Sequence, residues 1–119
     1  MDIRIKRAYD EPAKNDGFRV LVDRIWPRGV KKEDARLDVW MREIAPSDEL
    51  RKWFNHDPVK WLEFVEKYFR ELEGHGELVA KLLRRGRNRR LTLVFGAKDR
   101  EMNNAVALKQ FLRQQEDNS

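Results

Sequence analysis

The alternation of apolar and polar residues predicts strands early in the chain and one more near its end. A short opening strand is indicated at residues 3–8, and a second at 18–24 contains a run, 20–22, that is apolar on both faces. Alternating apolar residues at 37–44 suggest a third strand, although a helix is the rival interpretation. The strand at 91–95 has the strongest pattern of the four.

Helical spacing of apolar residues dominates the second half of the chain. Ser47 is a typical N-cap and predicts a short helix that ends near Phe54. Asp57, followed by a proline, predicts the start of the next helix, because proline at the first helical position loses no hydrogen bond. A third helix should stop within the arginine-rich run 84–90, and a final helix should follow the strand at 91–95.

This order of elements predicts a small layered α/β domain. Strand, loop and helix in sequence, after helices that return the chain across the sheet, favour parallel pairing with right-handed crossovers. We therefore expect a mainly parallel sheet of about four strands, flanked by four or five helices. The 119 residues should form a single domain, with a disordered tail at 115–119.

Composition excludes several classes of chemistry. The chain has no cysteine, so it can form neither a disulfide, nor a thiolate nucleophile, nor a cysteine zinc site. No stretch is apolar enough to span a membrane and no signal peptide is recognisable, so we expect a cytoplasmic protein. The net charge of +5 favours anionic partners without choosing between small ligands and polyanions.

The first candidate site is the strand end and turn at residues 22–29. Asp23 and Arg24 end a buried strand, and Trp26 and Arg28 follow at once. Ligands of open parallel sheets bind beyond the carboxyl ends of the strands, and arginine suits phosphate or carboxylate oxygens. The alternative is a structural brace, in which Asp23 pairs with an arginine and the tryptophan fills the core.

The second candidate is the loop at residues 98–104, between the best strand and the last helix. Lys98 and Arg100 could attract an anion to the amino terminus of that helix. The alternative is an ordinary loop capped by Asn103. The loop lacks the glycines of a P-loop, and the chain has no G-x-S-x-G serine motif.

Two further features carry weaker hypotheses. His56 and His75 are the only histidines, and no carboxylate motif with ligand spacing accompanies them, so no metal site is predicted. The run 84–90 has five arginines in seven positions and could contact a polyanion, but a solvated helix end is the preferred interpretation.

Several segments together resemble a known family. They are 19–29, Ile44-Ala45-Pro46-Ser47, 50–54, His56-Asp57-Pro58, Ala97-Lys98-Asp99 and 104–109. On these segments the chain is identified as similar to the YeaO-like branch of the domain-of-unknown-function family 488, and the resemblance covers almost the whole chain.

The resemblance implies no established reaction. Longer relatives carry a Cys-His-Arg element where this chain has Asn103-Asn104-Ala105, so chemistry that depends on those three side chains is not expected here. The positions of Asp23, Arg24 and Pro27 do match.

The combined hypothesis is a pocket for a small anion, such as a nucleotide or phosphate ester. Arg24, Arg28 and Lys98 would bind the anion, and Trp26 would wall the pocket beside Asn103. If catalysis occurs, Asp23 and Arg24 would serve phosphate hydrolysis or transfer. The alternative is a non-catalytic module that contacts nucleic acid or protein through the run 84–90. No cofactor and no oligomeric state is indicated.

Overall fold

The computed structural model describes residues 1–118 and contains one four-stranded sheet. The strands are β1 (Ile3–Arg7), β2 (Phe18–Leu21), β3 (Val39–Trp40) and β4 (Leu91–Phe95). Their order is β1-β4-β2-β3, and every neighbouring pair is parallel. The predicted α/β class and parallel sheet are confirmed.

The centre of the sheet is β4, which pairs with β1 on one side and β2 on the other. All five of its residues are buried. Because alternate residues of a strand face opposite sides of the sheet, burial of the whole strand means that both faces are covered. The carboxyl ends of β2 and β4 therefore lie side by side at one edge of the molecule.

Five helices accompany the sheet. They are α1 (Lys32–Ala35), α2 (Asp48–Phe54), α3 (Trp61–Glu73), α4 (Gly76–Asn88) and α5 (Asn104–Asp117). Helix α5 packs on β1 and β4, α3 packs on α5, and α2 packs on α3. No helix within residues 1–118 is long and apolar enough to cross a membrane.

The third strand is shorter than its sequence pattern predicts. Only Val39 and Trp40 pair with β2, and a 3-10 turn at Arg42–Ile44 follows. The chain leaves the sheet at this turn, and Ile44 and Ala45 beyond the strand are both buried.

The helix boundaries follow the predicted caps with two differences. Ser47 accepts a hydrogen bond from Leu50 N–H and begins α2 as predicted. Asp57 instead caps a 3-10 turn, Pro58–Lys60, and α3 begins one turn later. The tail predicted to be disordered, 115–119, overlaps α5, which extends to Asp117, and Ser119 lies outside the described residues.

Candidate functional site

A cavity of about 300 Å³ opens beyond the carboxyl ends of β2 and β4. Its walls come from the segment after β2, the loop between β4 and α5, and the end of α2. Of the sequence-predicted residues, Asp23, Arg24, Arg28 and Asn103 line it. The two candidate segments, 22–29 and 98–104, therefore meet at one site, but they do not contribute all of the residues expected.

Asp23 is held at the inner wall of the cavity by two hydrogen bonds. Its Oδ2 accepts from the Gly96 N–H at 2.8 Å, and its Oδ1 accepts from Asn104 Nδ2 at 3.0 Å. Burial raises the pKa of the Asp23 carboxyl, and the two hydrogen bonds oppose that rise. The carboxylate thus joins the ends of β2 and β4 to the first turn of α5.

Gly96 is the residue that permits this approach. A Cβ atom at position 96 would lie 3.1 Å from Asp23 Oδ2, closer than ordinary van der Waals contact. The small residue after β4 therefore lets its N–H reach the carboxylate directly.

Arg24 points to the start of α2, away from Asp23. Its Nε and Nη2 donate to the carbonyl oxygens of Pro46 and Ala45 at 3.2 and 3.3 Å. In the described part of the chain, Asp23 forms no ion pair with an arginine, whereas Arg24 lies 3.9 Å from Asp48. The alternative interpretation was a structural brace in which Asp23 pairs with an arginine. The described residues do not contain that pair.

Two further arginines face the cavity. Arg28 is exposed, and its guanidinium makes no hydrogen bond or ion pair within residues 1–118. Arg51 comes from α2, where its nearest carboxylate is Asp48 at 3.5 Å. Three arginines, including Arg24, therefore line one cavity, and Asp23 is the single acidic residue among its described lining residues.

Trp26 and Lys98 lie outside this lining. The indole of Trp26 packs edge-on against Trp40 at 5.4 Å between ring centroids, and its Nε1 donates to the Val30 carbonyl. Lys98 is exposed on the loop after β4. The tryptophan stabilises the turn after β2, and neither side chain faces the anion expected in the cavity.

Asn103 combines a place on the cavity wall with the capping role that was its alternative interpretation. Its Oδ1 accepts from the Val106 N–H at 2.9 Å, and its Nδ2 donates to the Asp99 carbonyl. Asn104 holds Asp23, and Ala105 is completely buried in the core. All three positions at which longer relatives are expected to carry the Cys-His-Arg element therefore serve the fold.

Arg51 and His56 are cavity residues that the sequence analysis did not assign to this site. Asn55 and His56 both have left-handed backbone conformations, with φ of 46° and 54°, which carry the chain off the end of α2. Such conformations are uncommon for residues other than glycine. Both cavity residues fall within or beside the segments that carry the family resemblance, which is the signal that could have indicated them.

One part of the cavity wall is apolar. Phe54 and Phe64 stack at 4.3 Å between ring centroids, and Pro46 and Ala45 also line the cavity. Within residues 1–118, no group of three or more histidine, aspartate or glutamate side chains could hold a metal ion. The site therefore offers cations and an apolar wall as its means of recognition.

The arginine-rich run 84–90 lies away from this cavity. It ends immediately before β4 begins, whereas the cavity lies beyond the end of that strand. Helix α4 ends at Asn88, within the run that was predicted to end it. Arg85 covers the Phe18 ring, and Arg90 pairs with Asp2 at 2.7 Å.

Comparisons with known proteins give one consistent family. The family described as "Inactive DUF488-N3 subclade" matches residues 2–119. The "Uncharacterized protein YeaO" of Escherichia coli is 44% identical over 113 residues, which are 95% of this chain and 98% of that protein. The "Uncharacterized protein Rv3073c" of Mycobacterium tuberculosis is 45% identical over 76 residues, or 64% of each chain. No solved structure matches at a significant level.

The resemblance to the YeaO-like branch is confirmed by these matches. The match spans the cavity residues as well as the core. The chain therefore belongs to the DUF488 family, within the DUF488-N3i group.

Proposed function

We propose that the cavity binds a small organic anion, such as a nucleotide or another phosphate ester, without transforming it. The observation that carries this proposal is the set of three arginines facing one cavity in which the single carboxylate is already engaged. Guanidinium groups recognise phosphate and carboxylate oxygens through paired hydrogen bonds. The amino terminus of α5, which begins at the cavity, adds partial positive charge.

The size and the apolar wall narrow the class of ligand. A volume of about 300 Å³ is at the lower end for small-molecule sites. The stacked rings of Phe54 and Phe64 suit the apolar or planar part of such a molecule, while the arginines suit its anionic group. An organic phosphate therefore fits better than an inorganic ion alone.

Binding without catalysis is favoured over phosphate hydrolysis or transfer. Both oxygens of Asp23 accept hydrogen bonds from the protein, so we assign it a positioning role. We assign ligand contact first to Arg28, and to Arg24 through the N–H groups that do not already donate to Pro46 and Ala45. Asn103 caps α5, Asn104 holds the Asp23 carboxylate, and Ala105 is buried in the core. None of these three side chains is a nucleophile. The word "inactive" in the family description supports the same conclusion.

A thermal-shift screen with inorganic phosphate, sugar phosphates and nucleotides tests this proposal. A ligand at 100 times its dissociation constant should add about 2.7 kcal/mol to the stability. Arg28→Ala should reduce the thermal shift, because it removes a guanidinium group that contacts the ligand. The variant should still fold, since this side chain makes no hydrogen bond or ion pair within residues 1–118. Arg87→Ala, an exposed arginine outside the cavity, is the matched control.

Two results would count against the proposal. If no anion shifts the wild type, or if Arg28→Ala and Arg87→Ala respond equally, the cavity is not an anion site. Release of phosphate by the wild type, lost in Asp23→Asn, would restore the catalytic hypothesis.

Contact with nucleic acid through the run 84–90 is the alternative function. Only Arg87→Ala should then weaken binding, and the affinity for an oligonucleotide should fall steeply with salt concentration. We do not favour this alternative, since Arg85 and Arg90 already have partners within the protein. The cytoplasmic location remains a prediction of the sequence.

A further inference from the structure

A second concave surface lies between α4 and the side of the sheet formed by β2 and β3. This groove has a volume of about 450 Å³ and shares no lining residue with the cavity beyond β2 and β4. We propose that it binds an acidic segment of a partner protein that carries a bulky apolar side chain. The proposal does not depend on the function assigned to the cavity.

The floor of the groove is apolar. Phe18, Val39 and Met41 come from the sheet side, and Leu82 comes from α4. Val39 is 36% exposed although it lies on a strand, so part of this floor is open to solvent. Burial of a single leucine-sized side chain on such a floor gives an association its hydrophobic component.

The rim of the groove is cationic. Lys81, Arg84 and Arg85 are exposed on α4, and no aspartate or glutamate of the described residues lines the groove. Carboxylates of a bound segment would therefore meet positive charge without a competing acid in the lining. This charge complementarity selects an acidic partner over a neutral or basic one.

The floor favours a peptide over a nucleic acid. Proteins hold unpaired bases by stacking them on open aromatic faces. Phe18 is the one aromatic residue of the groove, and the Arg85 guanidinium lies 4.8 Å from the centre of its ring. A base would have to displace this contact, whereas an aliphatic side chain can pack against the exposed Val39.

Fluorescence anisotropy tests the proposal with labelled peptides. The probe is a short glutamate-rich peptide with one central leucine, and its control has glycine in place of that leucine. We expect the leucine peptide to bind roughly tenfold more tightly, since burial of a leucine side chain corresponds to at least that factor. A labelled single-stranded oligonucleotide provides the polyanion comparison.

A pair of charge reversals on one helix locates the site. Arg84→Glu places a carboxylate on the rim and should weaken binding of the leucine peptide by roughly tenfold. Arg87→Glu makes the same change at an exposed position of α4 that does not line the groove, and it should leave the affinity nearly unchanged. Lys81→Glu repeats the test if Arg84→Glu does not fold.

Three outcomes would overturn the proposal. Equal binding of the leucine and glycine peptides would show that the floor contributes nothing. Equal losses in Arg84→Glu and Arg87→Glu would indicate diffuse attraction to α4. Tighter binding of the oligonucleotide than of the leucine peptide would identify a polyanion surface.

Discussion

The side-chain amide of Asn104 joins the first turn of α5 to the end of β2. Its Nδ2 donates to the Val22 carbonyl and to Asp23 Oδ1, both at 3.0 Å. Asn104 stands where longer relatives are expected to carry the histidine of the Cys-His-Arg element. Here the position supplies a donor that holds a partly buried carboxylate in place.

Replacing Asn104 with alanine should therefore destabilise the protein. Asp23 would lose one of its two donors, and because its carboxylate is only partly buried, the cost should lie at the lower end of the about 1–3 kcal/mol for a buried acceptor without its partner. Alanine suits a helix, so backbone propensity does not add to the loss. The free energy of unfolding in urea measures the effect. Gln110→Ala, which removes an exposed amide from α5, should change it little.

The raised pKa of Asp23 makes a specific prediction about pH. A carboxyl whose pKa is higher in the folded state contributes stability that is complete below its unfolded value, 3.8, and declines as pH rises through the folded value. The stability of the wild type relative to Asp23→Asn should therefore fall as pH rises above 3.8. Urea unfolding of both proteins from acid to neutral pH measures this difference.

A constant difference between wild type and Asp23→Asn across that pH range would contradict the prediction. An increase with pH would mean that the two hydrogen bonds outweigh burial in setting the pKa of Asp23.

The Asp10–Arg100 pair should show the opposite dependence on pH. Arg100 donates two hydrogen bonds of 2.9 Å to the Asp10 carboxylate, which lowers the pKa of Asp10 from 3.8 to about 2. The stability that this pair adds should be present above pH 3.8 and disappear as pH falls through about 2. Water and salt screen the pair, so the effect should be small.

Comparison of wild type with Arg100→Ala checks this second dependence. The difference in unfolding free energy should shrink in acid and in concentrated salt. Arg70→Ala, an exposed arginine of α3, should show neither trend.

Tyr68 provides a test of the core beside the cavity. Its hydroxyl is completely buried and donates to the Ile44 carbonyl at 2.7 Å. Tyr68→Phe leaves that carbonyl without its donor and should cost about 1–3 kcal/mol. Tyr9→Phe removes a hydroxyl that donates to the Arg28 carbonyl from an exposed position, so it should cost less than about 0.5 kcal/mol. Equal losses of unfolding free energy in Tyr68→Phe and Tyr9→Phe would show that burial of the hydroxyl does not set the cost.

Local patterns in the sequence were sufficient for most of the fold. The strand at 91–95 and the cap at Ser47 were predicted because short-range spacing and one hydrogen-bonding side chain determine them. The meeting of the segment after β2 with the loop after β4 was also predictable, since carboxyl ends of parallel strands share an edge.

The directions of the side chains at the site were harder to predict from the sequence. Trp26 was predicted to wall the pocket, but Trp40, from the next strand, packs against its ring instead. Arg51 faces the cavity because α2 packs on α3 near this edge, and no short-range pattern encodes where a helix end will lie. Contacts between such distant segments depend on how the core is filled.

The α/β class and the parallel order of elements were predictable, because they depend on local periodicity and on the chirality of connections. Asp23 and Arg24 were predicted to end the second strand, whereas β2 ends at Leu21 and both residues follow it. The contacts of Asp23 with Gly96 and Asn104, and of Arg24 with Pro46, were not predictable from any local pattern. These hydrogen bonds join segments that are far apart in the chain, and the close packing of the core sets the distances between them.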